Sequence, residues 1–323
     1  MKKTILITDV VQEIEIEKKI LSQFNLIFKN IDKVTSNEFK IINGILTGHS
    51  INFDQKTLSK FLNCKAIVRY GAGYNNIDIK AAKKKGIKVF NVPEYGSNEV
   101  ADFAISLSMS FLKNLNSFYF NILNKKKTKY WKYDSGFIYK RLSTVKVGVI
   151  GLGRIGKSYA KKMQSLGTKI FFYDPFLKKH DKTFQKLHSL EKIFKVCDVI
   201  SLHVPSTQKT RFFITSKQLR FVKKNIILIN TARGDLIKEN TVINGLKSGK
   251  ILCYGTDVLE NEPIKFESKF FKLIKSSKFQ SRVIVTPHSA FYTKESYYDL
   301  RYNTAKTIYN YFKKNSLKNC VNI

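Results

Sequence analysis

Val147-Gly148-Val149-Ile150-Gly151-Leu152-Gly153-Arg154-Ile155-Gly156 decides how the rest of this chain is read. A β-branched run enters three glycines spaced G-x-G-x-x-G, and the run Lys157–Leu166 that follows has helical character. Each glycine has its own reason to be there. Gly151 permits a tight turn, Gly153 lets a ligand approach the backbone, and Gly156 lets the helix lie close on the strand. The N-terminus of such a helix offers unpaired N–H groups and a partial positive charge, which suits a diphosphate. Glycine-rich turns are common, so the context carries the weight. A second β-run, Lys169–Tyr173, ends in Asp174, 23 residues after Gly151. An acid at about that spacing meets the ribose hydroxyls of a bound dinucleotide, and its charge repels a 2′-phosphate, favouring NAD over NADP. The other reading of Asp174 is that it simply opens the turn Asp174-Pro175. The cofactor-binding candidates from this unit are Gly151, Gly153, Arg154, Ile155, Gly156 and Asp174.

Outward from this unit, β-runs alternate with amphipathic runs along the chain. Strands are expected at Ile5–Ile7, Gly44–Thr47, Ala66–Arg69, Lys88–Val92, Lys146–Ile150 and Lys169–Tyr173. More follow at Val199–His203, Ile226–Asn230, Ile251–Gly255 and Val283–Thr286. Helical stretches between them include Gln12–Phe24, Asp54–Leu62 and Asp78–Lys85. Such alternation predicts an α/β fold with doubly wound parallel sheets. Asn98–Leu123 reads as one long helix, and the Lys-rich Asn124–Lys132 after it reads as an exposed connection. The last helical stretch, Lys294–Lys314, has no strand after it and is expected to return to the first unit. The predicted division is therefore a discontinuous domain, residues 1–100 with 296–323, interrupted by a nucleotide-binding domain over 101–295.

Composition narrows the function further. The 323 residues are 43% hydrophobic and 25% charged, which permits a large core and excludes wholesale disorder. No apolar run approaches the ~18 residues of a membrane span, and Glu13, Glu15 and Glu17 follow the short N-terminal apolar stretch, unlike a secretory signal. Cys64, Cys197, Cys253 and Cys320 lie far apart, so neither a disulfide framework nor a metal site is expected, and a cytoplasmic setting fits. The formal charge is +34. A balance so basic can mark a polyanion-binding surface. However, only eight of the 58 basic residues are arginines, and the lysines are spread along the whole chain together with abundant Ile, Asn, Phe and Tyr. That distribution is what A/T-rich coding gives, and no nucleic-acid-binding module accompanies it.

Three segments stand where the strands of the second series end, which is where open α/β sheets bind ligands. They are Asn230-Thr231-Ala232-Arg233-Gly234, Asp257-Val258-Leu259-Glu260-Asn261-Glu262-Pro263 and Thr286-Pro287-His288-Ser289-Ala290. Each carries one candidate group: the cation Arg233, the carboxylate Glu262 and the imidazole His288. Singly, each has an ordinary structural explanation as a cap, a loop acid or a polar histidine. In this order, however, and with Val68-Arg69-Tyr70-Gly71-Ala72-Gly73-Tyr74-Asn75-Asn76-Ile77-Asp78, Asn91-Val92-Pro93, Glu99-Val100-Ala101-Asp102 and Leu202-His203-Val204-Pro205, the chain resembles the D-isomer-specific 2-hydroxyacid dehydrogenase family from about Cys64 to Phe312.

The resemblance implies a Rossmann NAD domain inserted into a flavodoxin-like substrate domain. It also implies hydride transfer between NAD(H) and carbon 2 of a small 2-oxo or 2-hydroxy acid. Arg233 would hold the substrate carboxylate, His288 would donate and remove the proton, and Glu262 would bond the other ring nitrogen of His288. A planar guanidinium suits a carboxylate, and a neighbouring carboxylate favours imidazolium. Val204, Pro205, Thr231 and Ala232 would line the cofactor, with Asp257 at the nicotinamide amide. Gly71, Ala72 and Gly73 would turn backbone N–H groups toward the substrate carboxylate, an anion-binding concavity. Asn75 and Asp235 depart from the commoner family residues, Asp and Gly respectively. Arg69 resembles the C-terminal-binding-protein branch and would either add a cation at the substrate or pair with a structural acid. Ala290-Phe291-Tyr292-Thr293 resembles both that branch and the lactate type, leaving the individual acid open. A homodimer follows from the family alone. The alternative function is an NADH-responsive protein-binding module with little turnover.

Overall fold

A computed structural model describes residues 2–8, 13–124, 131, 140–223 and 225–323. The chain divides into two compact units, Met1–Gly96 with Tyr292–Ile323, and Ser97–Phe291.

The first unit is built on five parallel strands: β1 Thr4–Thr8, β2 Asn25–Phe28, β3 Ile42–Thr47, β4 Ala66–Arg69 and β5 Lys88–Phe90. Their order is β2-β1-β3-β4-β5, the flavodoxin-like order, with its switch point between β1 and β3. The second unit holds seven parallel strands: β6 Lys146–Ile150, β7 Lys169–Tyr173, β8 Gln185–Lys186, β9 Val199–Leu202, β10 Ile226–Asn230, β11 Ile251–Thr256 and β12 Val283–Val285. The order β12-β11-β10-β9-β6-β7-β8 reverses direction at β6 and β9, so the crevice for a dinucleotide opens over the ends of those two strands.

Alternate residues of one strand feed two different cores. Ile226 and Leu228 join Ile150, Ile200 and Leu202 under the helices Leu190–Val196, Glu239–Lys247 and Lys269–Lys275. Ile227 and Ile229 join Val147, Val149 and Val199 under Ser97–Leu112 and Arg154–Ser165. A sheet covered on both faces needs apolar side chains at every position, which is why these strands read as continuous rather than alternating runs.

Three expectations are corrected. The apolar stretch Asn98–Leu123 is two helices, Ser97–Leu112 and Leu115–Asn124. Asn114 between them has φ 56°, in the left-handed region that ends a helix and that Asn tolerates better than most residues. The helix expected over Gln12–Phe24 spans only Glu15–Ile20 among the described residues. Strands β2 and β8 were not expected at all. Both are edge strands, short and exposed or half-buried, so they lack the apolar run by which the inner strands are read. Of the Lys-rich Asn124–Lys132 connection, residues 125–130 and 132 lie outside the described residues.

Candidate active site

Two of the three glycines in the turn after β6 answer a specific crowding. Gly151 has φ 88°, and a Cβ there would stand 2.6 Å from Val204 Cγ1 and 2.8 Å from the His203 carbonyl oxygen. A Cβ on Gly156 would stand 2.0 Å from the carbonyl oxygen of Gly151. A Cβ on Gly153 would meet no protein atom within 4 Å. The protein's own packing therefore does not require glycine at 153, and the space beside its backbone is open. The helix Arg154–Ser165 starts at Gly153 with no side-chain cap and no acid in its first turn. It places Arg154 where the helix dipole disfavours a cation, an inversion that suits an anion held at that end.

Asp174 fills the turn role considered for it and also braces the glycine turn. One carboxylate oxygen accepts from the Phe176 N–H at 3.0 Å and opens the turn; the other accepts from the Leu152 N–H, also at 3.0 Å, against the glycine turn. Thr231, just past the end of β10, is buried, and its hydroxyl meets no protein partner among the described residues. A glycine cradle, an acid beside it and a buried hydroxyl fit a dinucleotide. His203 lies below the same turn, its Nε2 2.9 Å from Ser201 Oγ and its ring 5.0 Å from that of Tyr159. Burial pushes its pKa down from 6.5 to about 3, so it stays neutral here.

The catalytic candidates converge at the ends of β10, β11 and β12, which are neighbours in the sheet. Asn230 closes the first loop: its side chain accepts from the Ala232 N–H (3.1 Å) and donates to the Arg233 carbonyl (2.9 Å). Arg233 Nη1 donates to the Ala232 carbonyl at 2.6 Å. Gly234 touches the second loop so closely that a Cβ would stand 1.9 Å from the Leu259 carbonyl. Leu259 N–H donates to Glu262 Oε1 at 2.8 Å, and Glu262 Oε2 lies 2.8 Å from His288 Nδ1. The bond from Nδ1 to the carboxylate fixes the orientation of the ring.

His288 has φ 55°, unusual for a side chain of its size. Asp257, at the end of β11, holds it there. The Asp257 carbonyl accepts from the His288 N–H at 2.9 Å. Its buried carboxylate accepts from Thr286 Oγ1 (2.6 Å), Ser289 N–H (2.9 Å) and Ala290 N–H (2.8 Å). Three of its roughly four acceptor positions organise the histidine loop, leaving about one for a nicotinamide amide. Sequence reasoning did not find this use, nor that of Asn230 and Thr286; all three lie inside the quoted motifs, but the Asp257 and Thr286 bonds run between strand ends, and those of Asn230 depend on how its own loop folds back.

The glycine loop after β4 belongs to the other unit, and one expectation for it is corrected too. The Gly71 N–H is spent on the Arg69 carbonyl at 2.8 Å. An anion cradle in that loop therefore falls to Ala72 and Gly73. Gly71 instead makes room: with φ 133°, a Cβ there would overlap Arg69 Nη1 at 1.7 Å. Arg69 is buried, and Nη1 donates to the Tyr70 carbonyl at 2.6 Å. Among the described residues no group of His, Cys, Asp and Glu is arranged to hold a metal, and no helix is long and apolar enough to cross a membrane.

Comparison with known proteins decides the family. The sequence model for the D-isomer specific 2-hydroxyacid dehydrogenase NAD-binding domain matches residues 105–290. This chain belongs to that family. It is 33% identical to 2-hydroxyacid dehydrogenase A of Aspergillus oryzae over 261 residues, 79% of this chain and 74% of that one. It is 32% identical to glyoxylate reductase of Thermococcus litoralis over 286 residues, 87% and 84% of the two chains. The crystal structure of the Aquifex aeolicus D-lactate dehydrogenase, complexed with NAD and lactic acid, superposes with a TM-score of 0.86 at 30% identity, covering 99% of both chains. The protein is an NAD-dependent 2-hydroxyacid dehydrogenase, and it transfers hydride between NAD(H) and a 2-oxo or 2-hydroxy acid.

Proposed function

We propose that Arg233, Glu262 and His288 are the catalytic residues of this dehydrogenase. The observation that carries this reading is the 2.8 Å bond from His288 Nδ1 to Glu262, which orients the ring and directs Nε2 to the proton transfer. Bound NADH supplies the hydride that reaches carbon 2 of the 2-oxo acid. Arg233 holds the carboxylate with its planar guanidinium and draws charge from the carbonyl. His288 gives its Nε2 proton to the carbonyl oxygen as negative charge develops there, and takes one back in the reverse direction. Glu262 stabilises the imidazolium from which that proton comes. We assign Gly151, Gly153, Arg154, Ile155, Gly156, Asp174, Val204, Pro205, Thr231 and Ala232 to NAD. Arg69, Ala72 and Gly73 are assigned to the substrate, so that Met1–Gly96 with Tyr292–Ile323 acts as the substrate unit and Ser97–Phe291 as the NAD unit.

His288→Ala and Arg233→Ala should each lose turnover of 2-oxo acids while NADH still binds, read by quenching of protein fluorescence. Near-normal rates in both would refute the assignment. A panel of glyoxylate, hydroxypyruvate, pyruvate, phosphohydroxypyruvate and bulkier acids identifies the preferred substrate.

The enzyme is further proposed to be a cytoplasmic homodimer. None of its four cysteines is in a disulfide, which fits a reducing compartment. Leu115, Tyr119, Ile122 and Leu123 are 53–61% exposed and share one face of the helix Leu115–Asn124, an apolar stripe at i, i+4, i+7 and i+8 suited to a second copy. Ile122→Glu should shift the mass seen by light scattering to that of a monomer.

A further inference from the structure

Behind the glycine loop after β4 lies a buried ionic cluster that the reaction does not require. Glu17, on the helix Glu15–Ile20, and Arg301, on the helix Lys294–Lys314, are 0% and 2% exposed. Arg301 Nε and Nη2 grip the two Glu17 oxygens at 3.0 and 2.6 Å, and Nη2 also donates to the Glu13 carbonyl at 2.7 Å. Tyr297 covers the guanidinium, its ring centre 5.6 Å away. The third member is Tyr70, 3% exposed, whose hydroxyl donates to Glu17 Oε1 at 3.1 Å.

A fully buried ion pair is weak evidence for stability, because desolvation offsets most of the attraction. What such a pair supplies well is a fixed position. Tyr70 is the residue between Arg69 and Gly71. Its N–H is held by the Thr47 carbonyl at 2.8 Å, its hydroxyl by Glu17, and its carbonyl receives the Arg69 guanidinium across Gly71. Three anchors on one residue therefore set where the glycine loop begins and how Arg69 lies on it.

We propose that Tyr70, locked by Glu17 and Arg301, is a positioning residue for substrate binding: it holds Arg69 and the Ala72–Gly73 backbone in register with the substrate's anionic group. This rests on the assignment of that loop to the substrate. Tyr70→Phe is nearly isosteric and leaves the Glu17–Arg301 pair intact. It should raise KM for the preferred 2-oxo acid about 3- to 10-fold, while NADH affinity stays unchanged and kcat changes less than twofold. Arg301→Lys keeps the charge but loses the two-pronged grip, and should raise KM in the same direction. A purely structural role would lower Tm in both variants and leave KM untouched at temperatures well below unfolding. That result would overturn the proposal. Ala72→Asp separates this failure from failure of the loop assignment. Ala72 is exposed, so an acid there should repel the substrate and raise KM with little change in Tm. If Ala72→Asp raises KM and Tyr70→Phe does not, the loop binds substrate but Tyr70 does not position it. If neither raises KM, the loop assignment itself is wrong.

Discussion

Asp257→Asn separates two uses of one carboxylate. In the native protein its oxygens receive Thr286 Oγ1, Ser289 N–H and Ala290 N–H, all within 2.9 Å. An amide keeps only one acceptor oxygen, and its NH2 group must face at least one of the two backbone donors. The threonine hydroxyl can turn and accept instead, but a backbone N–H cannot. One buried N–H is then left unpaired, at a cost of about 1–3 kcal/mol, and the remaining bonds lose their charge assistance, for a total of about 2–4 kcal/mol. At ~2–4 °C per kcal/mol for a unit of this size, Tm should fall by about 4–16 °C. The loop that relaxes carries His288 in its left-handed conformation, so the ring loses its alignment and kcat should fall about 10- to 100-fold. Calorimetry gives the first quantity and NADH absorbance the second. A variant that keeps both Tm and kcat refutes the clamp. A variant with normal Tm and kcat but a raised KM for NADH shows that the carboxylate serves the nicotinamide instead.

Gly156→Ala sets a Cβ 2.0 Å from the Gly151 carbonyl; it should abolish measurable NADH binding by forcing helix and turn apart, and calorimetric titration checks this. Asp174→Ala removes the charge that opposes a 2′-phosphate, so the ratio of kcat/KM for NADPH to that for NADH should rise at least about tenfold, and an unchanged ratio would count against the ribose assignment. His203 makes stability depend on pH. Its pKa is about 3 in the folded protein against 6.5 unfolded, so between those values the unfolded chain binds a proton that the folded one does not. Stability should therefore fall as pH falls through this window, by up to about 2 kcal/mol from pH 6.5 to about pH 5. Urea unfolding of His203→Asn should show a shallower decline over the same range.

The inner strands and the glycine fingerprint were legible because their signals are local. A strand buried on both faces must be apolar at every position, and a turn that bends under a helix must have glycine at fixed offsets. The residues of β6, β7 and β10 could be bounded from their own composition. So could the last helix, which begins after Thr293, whose hydroxyl accepts the Ser296 N–H, and ends at Asn315 with φ 51°.

What escaped was whatever depends on neighbours distant in the chain. Edge strands β2 and β8 are strands only because β1 and β7 lie beside them. Asn114 divides a continuous apolar stretch by adopting a backbone conformation that periodicity does not encode. The order of the motifs named Arg233, Glu262 and His288. Only the tertiary structure packs Gly234 against Leu259, bonds Glu262 to His288, commits Asp257 to the histidine loop and brings Glu17 and Arg301 together beneath Tyr70. Backbone preference and burial act over a few residues and leave their mark in the sequence. A hydrogen bond between side chains hundreds of residues apart forms only once the sheets have set its two ends within reach.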